Sequence, residues 1–290
     1  MPIIGGVTVS NVRAVTLNGL DFTSVSPDGS EFIVTDVTGW DSGTASTLGL
    51  TQKVRAAGAW ASASPQLTPA VLSITGYVLA PDLPTLKRAG HRLKAAASLD
   101  ASTLSVADPG GETLTMTVRR QGEVLVRSGG ERFDQFSIGL VAADPRKFGT
   151  ATTLRTALPS QSGGLTFPVT FPITWSAVSV TGQVSLVNDG NIAGPVQVVA
   201  SGPLSDFTVT HTGSSGTRVV SVALPLLAGE YVVVDMEAET VLAQGQASRT
   251  QYVTSRGFSG FDPGRNTWAF TSSSFSSSAQ FAVTATPAWE

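Results

Sequence analysis

Phe136-Ser137-Ile138-Gly139-Leu140-Val141-Ala142-Ala143-Asp144-Pro145-Arg146-Lys147-Phe148 is the stretch that decides the fold class. With the residues just before it, Asp134, Phe136, Ile138, Leu140 and Ala142 share one face of an extended strand. Phe133, Gln135, Ser137 and Gly139 share the other. Period-two alternation of this kind marks a half-buried β-strand. Asp144-Pro145 ends it, because proline has no N–H for the ladder and holds the preceding residue extended.

Two further stretches follow the same grammar. Val180, Val184 and Leu186 alternate with polar residues up to Asn188-Asp189-Gly190-Asn191-Ile192-Ala193-Gly194-Pro195. There Asp-Gly supplies the positive φ of a tight hairpin, and Pro195 to Val199 forms the next strand. In Phe261-Asp262-Pro263-Gly264-Arg265-Asn266-Thr267-Trp268, Pro263-Gly264 suits the centre of a type II turn. Trp268 and Phe270 then fall on one face of the strand that follows.

The rest of the chain reads as strands and turns around one helix. In the first half, strands are expected at Arg13 to Leu17, Ser30 to Thr35, Val71 to Leu79 and Thr113 to Arg120. Val124 to Arg127 is expected to pair back across Gln121-Gly122. Thr38-Gly39-Trp40-Asp41-Ser42-Gly43 reads as a loop that runs on to about Thr51. Pro84 to Ser98 reads as a helix, with Leu83, Leu86, Leu93 and Ala97 at helical spacing and Pro84 in a first turn. Lys87, Arg88, His91, Arg92 and Lys94 crowd its other side. That side is either a basic docking face or a solvated helix surface, and the second is the commoner case. Residues 151–166 contain Leu158-Pro159-Ser160-Gln161-Ser162-Gly163-Gly164 and read as a linker. From about residue 167 to 290, some eight short strands separated by turns indicate a sandwich or jelly roll.

Composition narrows the functional classes. Of 290 residues, 41% are hydrophobic and only 13% are charged, about half the usual charged share. Residues 1–155 hold 14 Lys and Arg against 13 Asp and Glu; residues 156–290 hold 4 against 8. Neither half is basic enough to neutralise a nucleic-acid backbone. There is no cysteine, which excludes disulfides, thiolate zinc sites and a cysteine nucleophile. Met1 to Gly6 does not read as a signal peptide. The most apolar run, Val219 to Met236, is broken by Ser221, Pro225, Gly229, Glu230 and Asp235. It reads as two strands joined by a turn, so no membrane anchor is expected.

No catalytic, cofactor-binding or metal-binding residues are assigned. The two histidines are His91, on the helix, and His211, in what reads as a polar turn. Gly257-Phe258-Ser259-Gly260 lacks the glycine spacing of a nucleophile elbow. Ser128-Gly129-Gly130 joins strands and opens no helix, so phosphate cradling is unsupported. Asp36 with Asp41, and Glu237 with Glu239, are the carboxylate pairs available to glycoside chemistry, and surface carboxylates far outnumber catalytic ones. The chain is therefore expected to be no enzyme and to need no cofactor.

In this order and at this spacing, the three stretches resemble the distal tail proteins of long-tailed bacteriophages. In that family an Asp-Pro-Arg strand end closes the first domain, an Asn-Gly-Asn-like turn opens the second, and a Pro-Gly-x-Asn turn precedes the last strands. An aromatic residue, here Trp289, sits on the final strand. The resemblance implies a mainly β protein. Its first domain, 1–150, would be a tail-tube-like β-sandwich with one flanking helix at about 84–98. Its second, 167–290, would be a galectin-like β-sandwich or jelly roll. The implied role is structural: a hexameric ring at the tail tip of the virion, assembled in the host cytoplasm. Its partners would be the tail-tube protein, the tape-measure protein and tail-tip hub or fibre proteins, with DNA only in transit. A second reading is a carbohydrate-binding module of a tail-tip adhesin, with Trp268, Trp289 or Tyr252 stacking on a sugar.

Overall fold

The computed structural model of the chain describes residues 3–4, 7–8, 13–61, 66–108, 111–158 and 182–290. The chain divides into two units, Met1–Gly149 with Glu290, and Thr150–Trp289. Each encloses an apolar core of its own.

The first unit is organised by alternation. Its main elements are β1 (Ala14–Leu17), β2 (Leu20–Asp21), β3 (Glu31–Thr38), β4 (Ser46–Thr47), β5 (Leu50–Gln52), β6 (Ala59–Ala61), β7 (Gln66–Leu67), β8 (Ala70–Leu79), α1 (Leu83–Ala96), β9 (Ser102–Ala107), β10 (Thr113–Ser128) and β11 (Phe133–Ala142). An antiparallel path runs β2-β1-β9-β10-β11-β8-β3. Strands β8 and β11 pair from Ala70↔Ala142 to Leu79↔Phe133. That register sets Leu72 beside Leu140 and Ile74 beside Ile138, all fully buried. Phe22 joins them, its ring 5.7 Å from Phe32 and 5.8 Å from Phe136.

Helix α1 covers this apolar face. Asp82 caps it by accepting from the Thr85 N–H at 2.8 Å, and Pro84 lies in the first turn, where a missing N–H costs nothing. Leu86, Ala89 and Leu93 are buried in the same core as Ile74 and Ile138. The helix starts one residue earlier than the periodicity suggests and ends at Ala96. Leu83, expected on the apolar stripe, is exposed.

Two expectations for this unit are corrected. Gln121-Gly122 is no hairpin: β10 is one strand of 16 residues. Its first part pairs with β9 and its second with β11, with the register broken between Arg120 and Val124. A bulge adds residues to one strand and bends it, so Gly in a strand pattern signalled a bend that reads like a turn. The loop running to Thr51 also holds structure. Strand β4 pairs with β7, and β5 pairs with β6, forming an outlying hairpin. Its residues are exposed on both faces, so no alternation betrays it.

The second unit is a sandwich. The strands of its two sheets are β12 (Thr152–Ala157), β13 (Gln183–Asn188), β14 (Val196–Ser201), β15 (Phe207–Gly213), β16 (Gly216–Val222), β17 (Tyr231–Asp235), β18 (Thr240–Ala243), β19 (Ala247–Ser248), β20 (Val253–Arg256), β21 (Gly264–Thr271) and β22 (Gln280–Ala285). One sheet has the order β12-β22-β14-β17-β18-β19 and the other β13-β21-β15-β16-β20. Val198, Val232, Val234, Phe281 and Val283 of the first sheet share a core with Val209, Val220, Trp268 and Phe270 of the second. Phe270 stacks on Phe281, with ring centroids 4.4 Å apart.

The first part of the expected 151–166 linker is strand β12, paired with β22 from Thr152↔Ala285 to Ala157↔Gln280. It is an edge strand exposed over most of its length, so its sequence lacks a hydrophobic stripe. Residues 159–166, and Val180 of the alternation leading to Asn188, lie outside the described residues. Asp189-Gly190 does not turn a hairpin, because β13 and β14 belong to different sheets. Val219 to Met236 holds two strands with a turn between them, as expected, the end of β16 and then β17, and they belong to different sheets.

Candidate assembly surfaces and the loop lock

The second and third sequence motifs meet in the second unit. Asn188, at the end of β13, is buried. Its Nδ2 donates to the Phe261 carbonyl at 2.6 Å and to the Ile192 carbonyl at 3.1 Å, while its Oδ1 accepts from the Gly190 N–H at 2.9 Å. Gly194 and Phe261 exchange backbone hydrogen bonds at 3.1 and 2.8 Å. A Cβ on Gly190 would sit 1.9 Å from the Ala288 carbonyl oxygen. This glycine answers a close approach of two backbones and not a left-handed turn, which is the physical reason the hairpin reading fails.

Asn266 holds the third motif closed. Its Nδ2 donates to the carbonyls of Asp262 (2.7 Å) and Gly264 (2.8 Å), and its Oδ1 accepts from the Asp262 N–H at 3.1 Å. Gly264 has φ +86°, as the second central position of a type II turn requires. The same Oδ1 lies 2.8 Å from His211 Nε2. An amide oxygen only accepts, so His211 donates from Nε2. Ser259 Oγ lies 2.8 Å from the other ring nitrogen, Nδ1. His211 also stacks on Trp268, centroids 5.0 Å apart. Far from a polar turn, His211 is a buried residue inside β15. The period-two pattern Phe207, Val209, His211 contained that signal, since it continues the buried face. Trp268 is wholly buried, Trp289 is half-buried and Tyr252 is partly exposed.

The first motif is also a local clasp. Asp144 accepts from the Arg146 backbone N–H at 3.1 Å and from its guanidinium at 2.6 Å. Burial pushes the Asp144 carboxyl pKa up, but the side-chain and backbone hydrogen bonds from Arg146 together hold it below 3.8. The Arg146 guanidinium lies 5.2 Å from the Phe148 ring centre.

The remaining candidates do not gather into reactive clusters. Asp41 is gripped by Arg13 through bonds of 2.6 and 2.7 Å, and Arg13 also reaches Asp108. Asp36 accepts from the Thr38 hydroxyl at 2.6 Å. Glu237 and Glu239 sit in the turn between β17 and β18, where Asp235 accepts from the Glu237 and Ala238 N–H groups. Among the described residues, no group of three or more His, Asp or Glu is placed to hold a metal. No described helix is long and apolar enough to cross a membrane. On α1, Lys87, Arg88, His91 and Lys94 are exposed. Arg92 is drawn to Asp28 at 3.1 Å and lies over the Phe32 ring.

Two surfaces of the first unit stand out once the chemistry is set aside. Register puts Ser73, Thr75, Tyr77 and Leu79 of β8 beside Gly139, Ser137, Gln135 and Phe133 of β11, on the face opposite the core and α1. No described layer of the unit covers this face. The second is the hairpin of β5 and β6, whose apolar side chains include Leu50 (64% exposed), Val54 (97%) and Trp60 (68%). Lys53 lies 4.9 Å from the Trp60 ring centre.

These features define a β protein of two units, one with an open sheet face and an outlying hairpin, the other a closed sandwich with locked loops. Residues 189–289 match the family described as the siphovirus-type tail component, C-terminal domain. The fold of the chain is similar to SPP1 Dit, a structure described as a paradigm of the hub adsorption apparatus in Gram-positive-infecting phages. The TM-score is 0.67 at 14% identity, over 96% of this chain and 100% of that one. It is also similar to a chain of the phage P2 baseplate in its activated conformation with calcium (TM-score 0.52, 11% identity, 94% and 98% covered). A strontium form of that baseplate gives 0.50 at 12% identity, again over 94% and 98%. Comparison with curated proteins gives no match. Residues 189–289 of the second unit thus match the C-terminal domain of siphovirus-type tail components, and the resemblance to distal tail proteins read from the three motifs is borne out.

Proposed function

We propose that this chain is a distal tail protein, a structural ring subunit joining a phage tail tube to the host-recognition parts of the tail tip. The family match over 189–289 and the likeness to SPP1 Dit support the class. The observation that carries the ring is the one-sided sheet of the first unit. Its open face, around Thr75, Tyr77, Gln135 and Ser137, carries mostly uncharged side chains, with Arg127 beside Gln135 and Asp36 beside Thr75 on the flanking strands, and α1 lies on the opposite side. Six copies arranged with that face inward give a channel wall on which Arg127 is offset by Asp36, so that it holds a passing polyanion only weakly. The basic side of α1 then points away from the lumen, where strong phosphate contacts would hinder a sliding genome.

The β5–β6 hairpin supplies a contact between copies. A lone two-stranded hairpin is marginal in water, and exposed Leu50, Val54 and Trp60 gain by burial against a neighbour. Closure by rotation turns such head-to-tail contacts into a ring. In this reading the tube-like first domain spans 1–150 and the galectin-like second domain spans 167–290. The tail-tube and tape-measure proteins are neighbours, and the subunit is assembled in the host cytoplasm and has no enzymatic activity of its own.

Native mass spectrometry and negative-stain imaging of the purified chain test this. We expect rings of six copies. The double variant Leu50→Ser, Trp60→Ser should remain monomeric with unchanged melting. Wild-type protein that stays monomeric at every concentration overturns the ring.

A further inference from the structure

In the first unit β10, β11, β8 and β3 lie side by side, each antiparallel to the next. Both outer strands keep a bare edge. Strand β9 covers β10 only from Thr113 to Val118, so no described strand pairs with the outer edge of Val124 to Ser128. On the far side of β3 an isolated bridge joins Val25 to Glu31, and Phe32 to Thr38 have no further strand partner among the described residues. Bare edges of this length are templates for pairing with another chain.

Register sorts the charges of the open face onto these two edges. One row across the sheet reads Arg127, Gln135, Tyr77, Ile33, and the next reads Leu125, Ser137, Thr75, Asp36. Arg119 stands beside Val141, and Glu31 beside Leu79. On this face β10 therefore carries Arg119 and Arg127, and β3 carries Asp36 and Glu31. Glu123, in the register break of β10, belongs to none of these rows. Arg119, Arg127 and Asp36 are exposed and Glu31 is half-buried. Neither arginine has an ion-pair partner among the described residues. Asp36 uses one carboxylate oxygen to accept from the Thr38 hydroxyl at 2.6 Å. Within one copy two inner strands separate Arg127 from Asp36, a spacing of about 14 Å and too long for an ion pair.

We infer that the bare edge of β10 pairs with the bare edge of β3 in a second copy, setting Arg127 of one copy against Asp36 of the next. This seam presupposes the ring proposed above and specifies how its copies join. The strand directions fit. Three reversals separate β10 from β3, so the two run in opposite directions. Rotation about an axis along the strands preserves those directions and brings the two edges together antiparallel. At level register Arg127 would face Ile33, with Asp36 one row to one side and Glu31 one row to the other. Both are diagonal neighbours within reach of a long side chain, and a shift of one row either way puts an acid directly opposite. Charge also selects the kind of contact. Two β10 edges together set arginine near arginine, and two β3 edges set acid near acid, which destabilises cross-strand pairs. Only unlike edges attract, so the contact is head-to-tail and closes by rotation, where like edges would give a two-fold dimer.

Charge reversal in the full chain tests the seam, with assembly read by native mass spectrometry at low salt. Asp36→Lys and Arg127→Glu each give a chain whose two edges have the same sign. We expect each variant alone to need about tenfold or more protein to assemble, with unchanged melting. Mixed in equal amounts, the two should assemble again into rings in which they alternate, since each offers the other an unlike edge on both sides. Should a reversal fail to fold, Arg127→Gln decides in its place, with weakened assembly and a flatter dependence on salt expected. Wild-type protein that stays monomeric overturns the ring itself. Wild-type rings whose assembly the substitutions leave undiminished overturn the seam and leave the ring standing. So do folded reversal variants that stay apart on mixing.

Discussion

The two units hold their loops by opposite means. In the first, charged side chains do so at the surface: Arg13 with Asp41 and Asp108, Arg92 with Asp28, and Arg146 with Asp144. In the second, neutral side chains do so in the interior: Asn188, Asn266 and His211 satisfy backbone carbonyls and each other out of water. Surface ion pairs contribute little and are screened by salt, whereas a buried polar group that loses its partner carries the whole desolvation cost. The first unit should therefore tolerate substitution and respond to solvent conditions. The second should be indifferent to solvent and brittle to substitution.

The largest effect expected on this contrast is Gly190→Val. Its Cβ would fall 1.9 Å from the Ala288 carbonyl oxygen, backbone against backbone, with no side chain free to swing away. We expect the second unit to lose about 4 kcal/mol or more, in the range reserved for severe core defects. In a calorimetric scan the first unit's transition should stay in place. Gly264→Ala is the useful control, since open space surrounds it and only its φ of +86° resists. That should cost only about 1–2 kcal/mol. Equal losses at the two glycines would show that the close approach at Gly190 is not the constraint.

Asn266→Ala comes next. It removes one side chain and leaves the Asp262 N–H, the Asp262 and Gly264 carbonyls and His211 Nε2 without that partner. Water can reach some of these groups, so we expect about 2–4 kcal/mol of destabilisation in the second unit. Asn266→Asp should recover little, because a carboxylate cannot donate to the two carbonyls. Urea denaturation of each variant measures the loss. A first-unit counterpart, Arg13→Ala, losing as much as Asn266→Ala would erase the contrast.

How much of this could be read from the chain follows the same division. Where one strand face is buried and the other wet, as in Phe133 to Ala142, residue alternation and structure agree. Trp268 and Phe270 likewise fall on the buried face of β21, and Pro263-Gly264 makes the expected turn. The reading failed where a short-range cue had a long-range cause. Asp189-Gly190 has hairpin composition, but Gly190 is demanded by Ala288, nearly a hundred positions away in the chain. Gln121-Gly122 bends one strand and does not separate two, because each half of β10 has its own partner. The hairpin of β5 and β6 and the edge strand β12 lack a buried stripe, so their pairing leaves no period in the sequence. His211 was missed because a polar residue type was trusted over its place in an alternating run.

The smallest expected effect is also the one that separates the units without mutation. In the first unit several carboxyls sit below their ordinary pKa of 3.8. The Arg13 side-chain hydrogen bond lowers Asp41, and the Thr85 backbone N–H lowers Asp82 at the helix N-terminus. The Ser30 hydroxyl, with its backbone N–H and Arg92, lowers Asp28. In the second unit Asp206 is lowered, by the Ser273 N–H and hydroxyl. A carboxyl with a depressed folded-state pKa binds a proton more readily when unfolded, so its contribution is present above pH 3.8 and is lost as pH falls through the folded value. The first unit should thus lose stability faster below about pH 4 than the second. Lys147 adds to the slope from the other end. Burial beside Trp40 lowers its pKa below 10.5, the folded state disfavours its proton, and the first unit gains stability as pH rises toward 10.5. Because most of these groups touch solvent, each contribution is small, and salt should flatten the acid limb. Calorimetric scans between pH 3 and pH 7, at low and high salt, would follow both transitions. A second-unit transition that falls as steeply in acid as the first would show that surface charge does not distinguish the two units.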